Sequence, residues 1–138
     1  MTEDDSMVTL TQEIKESLQG TKLAFLATSS KKGIPNAVPI AAFKLWDDGT
    51  VLISDQYFNK TLENVRENPE VALSWWGEKG GFQIKGTATV HKDDEVFAKN
   101  VAWMKEGWPT FVPKGAVLVK ITGVYAVKPG PEPGKKIL

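Results

Sequence analysis

The sequence predicts a mainly β protein in which six antiparallel strands and a few short α-helices form a small barrel. Six runs with strand character follow one another at hairpin-like spacing, and the helix-like segments between them are short. Asp47, Asp48 and Gly49 make a strong hairpin turn between two of these runs. Closing the sheet would protect the strand edges. We expect one domain over residues 1–138, with a core at about 8–128 and flexible tails at 1–7 and 129–138.

The first half of the chain predicts one helix and three strands. Leu10, Ile14 and Leu18 recur every four residues and give the helix an apolar face. The strands are expected at residues 22–28, 34–46 and 50–55. Pro35 and Pro39 each withhold a backbone donor, so the second run is an edge strand, a bulged strand or a strand whose backbone faces a ligand.

The second half predicts two helices and three more strands. A helix that begins after Asn59 ends before Pro69, because the residue preceding a proline avoids helical geometry. A second helix follows Asp93. The strands are expected at residues 71–76, 82–90 and 116–127. Trp75 and Trp76 are adjacent in a strand and must point to opposite faces, so at most one fills the barrel interior.

Composition excludes several classes of protein. Hydrophobic residues make up 41% of the chain, enough for a core, and the formal net charge of +0 creates no general field for nucleic acid. The absence of cysteine excludes disulfides, thiol catalysis and cysteine-bound metal. No run resembles a signal peptide or approaches the ~18 apolar residues that span a bilayer. We expect a cytoplasmic protein with no nucleic-acid or membrane partner.

Familiar catalytic motifs are absent from the sequence. It contains no nucleophile elbow, Walker loop or Gly-x-Gly-x-x-Gly run. His91 is the single histidine, which argues against a dedicated zinc or copper site and favours a structural role, with haem ligation as the alternative. Asp55 and Ser54 close a strand, and each is either a plain turn residue or a ligand-facing group.

The most informative segment is the Lys60-Thr61 pair, which opens a helix directly after a buried strand. The helix start supplies unpaired backbone N–H groups and the positive end of the helix dipole. Lys60 adds a positive charge and Thr61 a hydroxyl donor, so the segment is suited to a phosphate. The alternative is that Asn59 only caps a surface helix and Lys60 is solvated.

Over residues 8–128 the chain resembles the FMN-binding split barrel of the pyridoxamine 5'-phosphate oxidase-related family, and especially its small bacterial FMN-binding proteins. The matching segments are residues 27–28, 33–39, 48–49, 59–61, 64–65 and 68–72. The resemblance implies a six-stranded antiparallel split β-barrel that forms a homodimer. It also implies FMN held non-covalently in a groove between the subunits, in a small oxidoreductase or electron-transfer protein.

Nine residues match cofactor-binding positions of that family. They are Pro39, Ile40, Ala41, Ser54, Asp55, Lys60, Thr61, Gln83 and Trp108. By this resemblance Lys60 and Thr61 hold the phosphate, and residues 39–41 lie beside the isoalloxazine ring, where their backbone groups bind its edge.

The other four residues are also assigned by resemblance. Ser54 and Asp55 match positions near the ring and the ribityl chain. Gln83 matches a strand position that reaches the cofactor across the groove, and Trp108 resembles an aromatic residue that approaches the ring from the partner subunit. No residue is assigned a catalytic role.

Two departures from the family argue against pyridoxamine 5'-phosphate oxidase activity. The oxidase uses several arginines, whereas Arg66 is the single arginine of this chain, and residues 129–138 do not match the substrate-binding C-terminal segment of the oxidase. Other functions therefore stay open. The same fold would suit haem or a deazaflavin, a non-catalytic flavin sensor or storage module, or a structural barrel with a relic pocket.

Overall fold

The computed structural model describes residues 8–138 and contains seven strands and three helices, which confirms the mainly β prediction. In chain order the elements are α1 Gln12–Gln19, β1 Ala24–Ser29, β2 Pro35–Ile40, β3 Phe43–Asp47, β4 Thr50–Asp55, α2 Lys60–Glu67, β5 Glu70–Gly77, β6 Gly80–His91, α3 Glu95–Gly107 and β7 Gly115–Ala126. The strands form one antiparallel sheet in the order β2-β1-β5-β6-β7-β4-β3.

The prediction of six strands is wrong by one, because the run 34–46 forms two strands rather than one. β2 pairs with β1 and β3 pairs with β4, so the chain passes from one edge of the sheet to the other at Ala41 and Ala42. Pro35 and Pro39 both lie in β2, where the outer edge pairs with no strand of the described chain. The interpretation of this run as an edge strand is therefore confirmed for β2.

The two edge strands are consecutive in sequence, so the curved sheet meets itself at Ala41 and Ala42 and forms a split β-barrel. We call this meeting point the seam. Every strand contributes to the interior, where side chains such as Leu26, Leu73 and Ile84 are fully buried. Each such side chain stabilises the fold by about 1.5–3 kcal/mol.

Helix α1 packs on the barrel through the predicted apolar face. Ile14 and Leu18 are buried, and between them Ser17 accepts a hydrogen bond of 2.9 Å from Nε1 of Trp75. Trp75 is 3% exposed and Trp76 is 58% exposed, which confirms that only one of the pair enters the core.

The C-terminal residues follow β7 rather than leaving the barrel. The backbone N–H of Ala126 donates to the carbonyl of Lys135 at 2.8 Å, and that of Ile137 donates to Val124 at 2.7 Å. Leu138 packs against the core. Residues 1–7, the other expected tail, lie outside the described part of the chain. Within residues 8–138 no helix has the length and apolar character of a membrane span.

Candidate functional site

A cavity of about 460 Å³ opens beside the seam, where β2, the end of β4 and the start of α2 converge. We call it the seam cavity. Its lining comprises residues 38–42, 54, 56–61, 108 and 111. Seven of the nine residues predicted to bind a cofactor line it, namely Pro39, Ile40, Ala41, Ser54, Lys60, Thr61 and Trp108. Asp55 and Gln83 do not belong to the lining.

A polar cluster that we call the α2 wall, made of Thr28, Asn36, Thr61 and Asn64, meets the seam cavity at Thr61. Asn36 Nδ2 donates to Thr28 Oγ1 at 3.3 Å and to Thr61 Oγ1 at 3.1 Å. Asn64 Nδ2 donates to Thr28 Oγ1 at 3.1 Å. Because the oxygen of Thr61 accepts from Asn36, the hydroxyl hydrogen of Thr61 remains free to donate to a ligand.

The start of α2 faces the same cavity with its backbone N–H groups available. Asn59 occupies the N-cap position, but its side chain makes no capping hydrogen bond. Lys60 is exposed at the first helical residue. Its ammonium group forms no ion pair with the described residues. An ammonium, a hydroxyl and a helix N-terminus are groups whose chemistry suits an anion.

A second polar cluster, the α3 wall, is made of Ser54, Gln56 and Asn100 and meets the cavity at Ser54 and Gln56. Asn100 is fully buried in α3, and its Nδ2 donates to Ser54 Oγ at 2.9 Å and to the backbone carbonyl of Gly115 at 3.4 Å. The Ser54 hydroxyl donates in turn to Gln56 Oε1. Ser54 and Gln56 line the cavity, while Asn100 lies behind them.

Sequence reasoning missed Gln56 and Asn100. Gln56 lies in the loop after β4, where nothing local distinguishes it from a solvated residue. For Asn100 a signal existed, because it lies three residues after Phe97 and four before Met104, on the apolar face of α3. A polar residue in that position predicts a buried hydrogen-bonded side chain.

Asp55 lies behind the cavity and organises the loop that borders it. It is fully buried, and its Oδ1 accepts from the backbone N–H of Phe58 at 2.8 Å. Its Oδ2 has no hydrogen-bond donor among the described residues. Burial raises the pKa of this carboxyl, and the N–H of Phe58 and the nearby charge of Lys114 oppose that rise. Lys114 also closes the loop, since its Nζ donates to the carbonyl of Phe58 at 2.9 Å.

Aromatic residues form the apolar side of the seam cavity. Trp108 is half-buried, and its ring meets that of Trp103 edge-on with the centroids 5.4 Å apart. Phe111 meets Tyr57 in the same way at 6.0 Å. These contacts fix the positions of Trp108 and Phe111 beside the cavity of the same chain.

Two remaining predicted groups lie outside the cavity lining. Gln83 is on β6 and donates to Ser74 Oγ at 3.4 Å on the outer face of the sheet. His91 uses both ring nitrogens, with Nδ1 at 2.6 Å from Asp94 Oδ2 and Nε2 at 2.7 Å from Thr89 Oγ1. Residues 8–138 contain no cluster of three or more histidine, aspartate or glutamate side chains that could hold a metal ion.

Most of the chain matches a known protein family. The family model described as pyridoxamine 5'-phosphate oxidase matches residues 10–128. An uncharacterised protein of Methanocaldococcus jannaschii is 44% identical over 136 residues, covering 96% of this chain and 91% of the relative.

Solved structures share the fold at lower sequence identity. HupZ of Group A Streptococcus is 24% identical with a TM-score of 0.79, covering 91% of this chain and 99% of that one. An FMN-binding protein of Syntrophomonas wolfei is 15% identical with a TM-score of 0.70, covering 87% of each chain. HutZ of Vibrio cholerae, described as a haem storage protein, is 22% identical with a TM-score of 0.62, covering 86% of this chain and 95% of that one.

Proposed function

Because the chain belongs to the pyridoxamine 5'-phosphate oxidase family, we propose that it binds FMN non-covalently in the seam cavity and serves electron or hydride transfer. The observation that supports this most directly is the pairing of an anion site with an apolar, aromatic slot in one cavity. Lys60, Thr61 and the start of α2 form the first, and Ile40, Trp108 and Phe111 border the second. A volume of about 460 Å³ lies within the range of small-molecule sites, ~300–1,000 Å³.

The donor set fits the three chemical parts of FMN. The phosphate requires cationic and N–H donors, which Lys60, Thr61 and the first turn of α2 supply. The flat ring requires an apolar face, which the aromatic side of the cavity provides. The ring edge requires hydrogen-bonding groups, and the backbone of β2 offers such groups along an outer edge that pairs with no described strand.

When bound, FMN supplies the redox chemistry, and the residues of the chain bind it, orient it and limit its contact with water. Lys60 and Thr61 anchor one end, while Trp108 and Phe111 cover an apolar side. We assign no residue as a general acid or base. True pyridoxamine 5'-phosphate oxidation is not proposed, because Arg66 is the single arginine of the chain.

We further propose that the protein is a homodimer joined through the outer face of β2, β1, β5 and β6. This face carries Phe25 at 48% exposed and Trp76 at 58% exposed, with small residues between them. Exposed apolar surface of this kind is typical of an interaction site. Pro39 pairs with Phe25 on this face and also lines the seam cavity. A second copy on the face would therefore border the cofactor, and Gln83 would reach it across the interface.

Haem is the second candidate ligand, because the similar HutZ structure is that of a protein described as storing haem. Against haem ligation, both ring nitrogens of His91 are engaged by Asp94 and Thr89, so a bond from His91 to iron would require one of those contacts to break. A deazaflavin in the same cavity and a non-catalytic role in flavin sensing or storage remain further alternatives.

An absorbance spectrum of the protein, as purified and after incubation with FMN and gel filtration, tests the proposal. We expect flavin bands that elute with a dimer, and reduction of the bound flavin by a nicotinamide nucleotide or another donor. Protein that stays colourless after incubation with FMN would refute flavin binding. A Soret band would favour haem, and a bound flavin that no donor reduces would favour sensing or storage.

A further inference from the structure

We propose that Gln56 presents its amide N–H group to a hydrogen-bond acceptor on the ring of the bound cofactor, and that Ser54 and Asn100 hold it in that orientation. This inference rests on the proposed function, since the ligand would be the flavin in the seam cavity. It assigns Gln56 a direct recognition role, and it makes Asn100, which does not line the cavity, a positioning residue.

The direction of the hydrogen bonds in the α3 wall is set by a backbone carbonyl. The carbonyl of Gly115 can only accept, so the amide nitrogen of Asn100, 3.4 Å away, must face it. The same nitrogen lies 2.9 Å from Ser54 Oγ and donates its second hydrogen there. Ser54 therefore accepts from Asn100, and its own hydroxyl hydrogen is directed to Gln56.

This direction determines which end of the Gln56 amide faces the cavity. The Ser54 hydroxyl donates to Oε1 of Gln56, which fixes the amide oxygen toward the wall. Gln56 lines the cavity, and none of the hydrogen bonds among residues 8–138 uses its Nε2. The free end of the side chain is therefore a pure donor, and it is suited to a ligand acceptor such as a ring carbonyl oxygen or an unprotonated ring nitrogen.

Stability alone does not explain the buried asparagine behind this arrangement. Asn100 is fully buried, and its Oδ1 finds no donor among the described residues. An unpartnered buried acceptor opposes folding, and an aliphatic side chain of similar size would avoid it. The asparagine is explained by its amide nitrogen, which sets the direction of the hydrogen bonds that lead from Asn100 through Ser54 to Gln56.

The test is a titration of FMN against the wild type and the variants Gln56→Leu, Gln56→Glu and Ser54→Ala, followed by Raman spectra of the flavin carbonyl stretches. Loss of one neutral hydrogen bond should weaken binding about 5- to 10-fold in Gln56→Leu. Gln56→Glu should weaken it more, because a carboxylate oxygen would face the ligand acceptor. In wild-type protein the carbonyl stretch that accepts from Gln56 should lie at lower frequency than in Gln56→Leu.

A double-mutant cycle separates positioning from packing. Ser54→Ala should weaken binding on its own but add nothing in the Gln56→Leu background, because Ser54 acts through Gln56. Asn100→Leu should behave as Ser54→Ala does, and Gln19→Leu, an exposed glutamine on α1, serves as the matched control.

The outcomes distinguish this inference from the proposed function. Wild-type protein that binds no FMN ends both proposals. If the wild type binds FMN and the Gln56 variants change neither affinity nor carbonyl stretch, the recognition role is wrong while the proposed function stands. Additive effects of Ser54→Ala and Gln56→Leu would refute the positioning role.

Discussion

The two polar walls of the seam cavity are built alike but differ in how well their groups are satisfied. Each contains one asparagine that a helix carries into the interior, Asn64 at 2% exposed and Asn100 at 0%. In the α2 wall no buried side-chain nitrogen or oxygen lacks a partner, whereas Asn100 Oδ1 and the adjacent Asp55 Oδ2 have no donor among the described residues. An unsatisfied buried group opposes folding by about 1–3 kcal/mol.

This difference indicates that the two walls contribute differently to the fold. The α2 wall stabilises the protein and also leaves the Thr61 hydroxyl free toward the cavity. The α3 wall retains polar groups that lower stability, which is the pattern expected where an arrangement is maintained for binding.

The largest effect is expected from Lys60→Ala combined with Thr61→Val, which removes the side-chain donors of the proposed phosphate site. Charge-assisted contacts contribute about 1.5–3 kcal/mol each, so affinity for FMN should fall about 100-fold or more. A fluorescence titration measures this. Riboflavin, which lacks the phosphate, is the control and should bind the variant and the wild type equally. An equal loss of affinity for FMN and for riboflavin would show that the phosphate does not bind at the start of α2.

The second prediction compares the two buried asparagines directly. Asn64→Leu should lower the free energy of unfolding by about 1–3 kcal/mol, because it removes a satisfied buried amide and its hydrogen bond to Thr28. Asn100→Leu should lower it by less, since it also removes an unpartnered acceptor. Urea unfolding of both variants gives the comparison. A larger loss in Asn100→Leu would mean that the α3 wall is the stabilising one.

The third prediction concerns the carboxyl behind the α3 wall. Because burial raises the folded-state pKa of Asp55 above its ordinary value of 3.8, the stability that this group contributes is fully present below that value. It is lost as pH rises through the raised pKa. Asp55→Asn cannot ionise and keeps an oxygen for the N–H of Phe58. Its melting temperature should exceed that of the wild type at neutral pH, by a margin that shrinks on acidification.

Melting curves of the wild type and of Asp55→Asn between pH 4 and pH 8 would measure this difference in melting temperature. Asp93→Asn changes an exposed residue and is the control, which should melt at the same temperature as the wild type. A margin that is constant across this range would mean that Asp55 ionises in the folded protein as easily as in the unfolded chain.

The smallest effect is expected at the start of α3, the helix that carries Asn100. Asp94 caps this helix by accepting from the backbone N–H of Phe97 at 3.0 Å. Hydrogen bonds from His91 and from that N–H lower the pKa of Asp94. The stability that the Asp94 carboxylate contributes to the folded protein is therefore present above the ordinary pKa of an aspartate, and it is lost as pH falls through the lowered value. Asp94→Ala should melt slightly below the wild type at neutral pH.

That difference should narrow in strongly acidic solution, where the wild-type carboxyl is protonated. Melting curves at neutral and strongly acidic pH give the comparison, and a gap that stays the same at both would show that the charge of Asp94 is irrelevant to the cap. Because Asp94 is a surface residue, the FMN affinity of the variant should match that of the wild type.

The strands and helices were largely predictable because their signals are local. The every-fourth-residue pattern of Leu10, Ile14 and Leu18 gave α1, and all three side chains are buried as expected. The adjacent Trp75 and Trp76 had to face opposite sides of a strand, and they do. The strand count was wrong because both halves of the run 34–46 are extended, and sequence alone does not indicate a change of pairing partner.

The site was only partly predictable. Lys60 and Thr61 were identified because the residues that begin a helix are neighbours in the sequence. Both line the cavity. Asp55 was expected near the ligand but lies behind the lining, since its carboxyl turns back to the N–H of Phe58. For Gln83 a cofactor role requires a second subunit, and it stays a prediction.

The sequence by itself therefore determined which segments are strands, which residues open α2 and which side chains are apolar enough to be buried. Only the tertiary structure decided that Asn36 meets Thr61 across 25 residues and that Asn100 meets Ser54 across 46. Periodicity and helix-capping signals act within a few residues, whereas hydrogen bonds between distant side chains depend on how the sheet closes. The α2 wall forms because the closed barrel brings β1 and β2 against the helix that follows β4, whereas the α3 wall forms where α3 packs on β4 and β7.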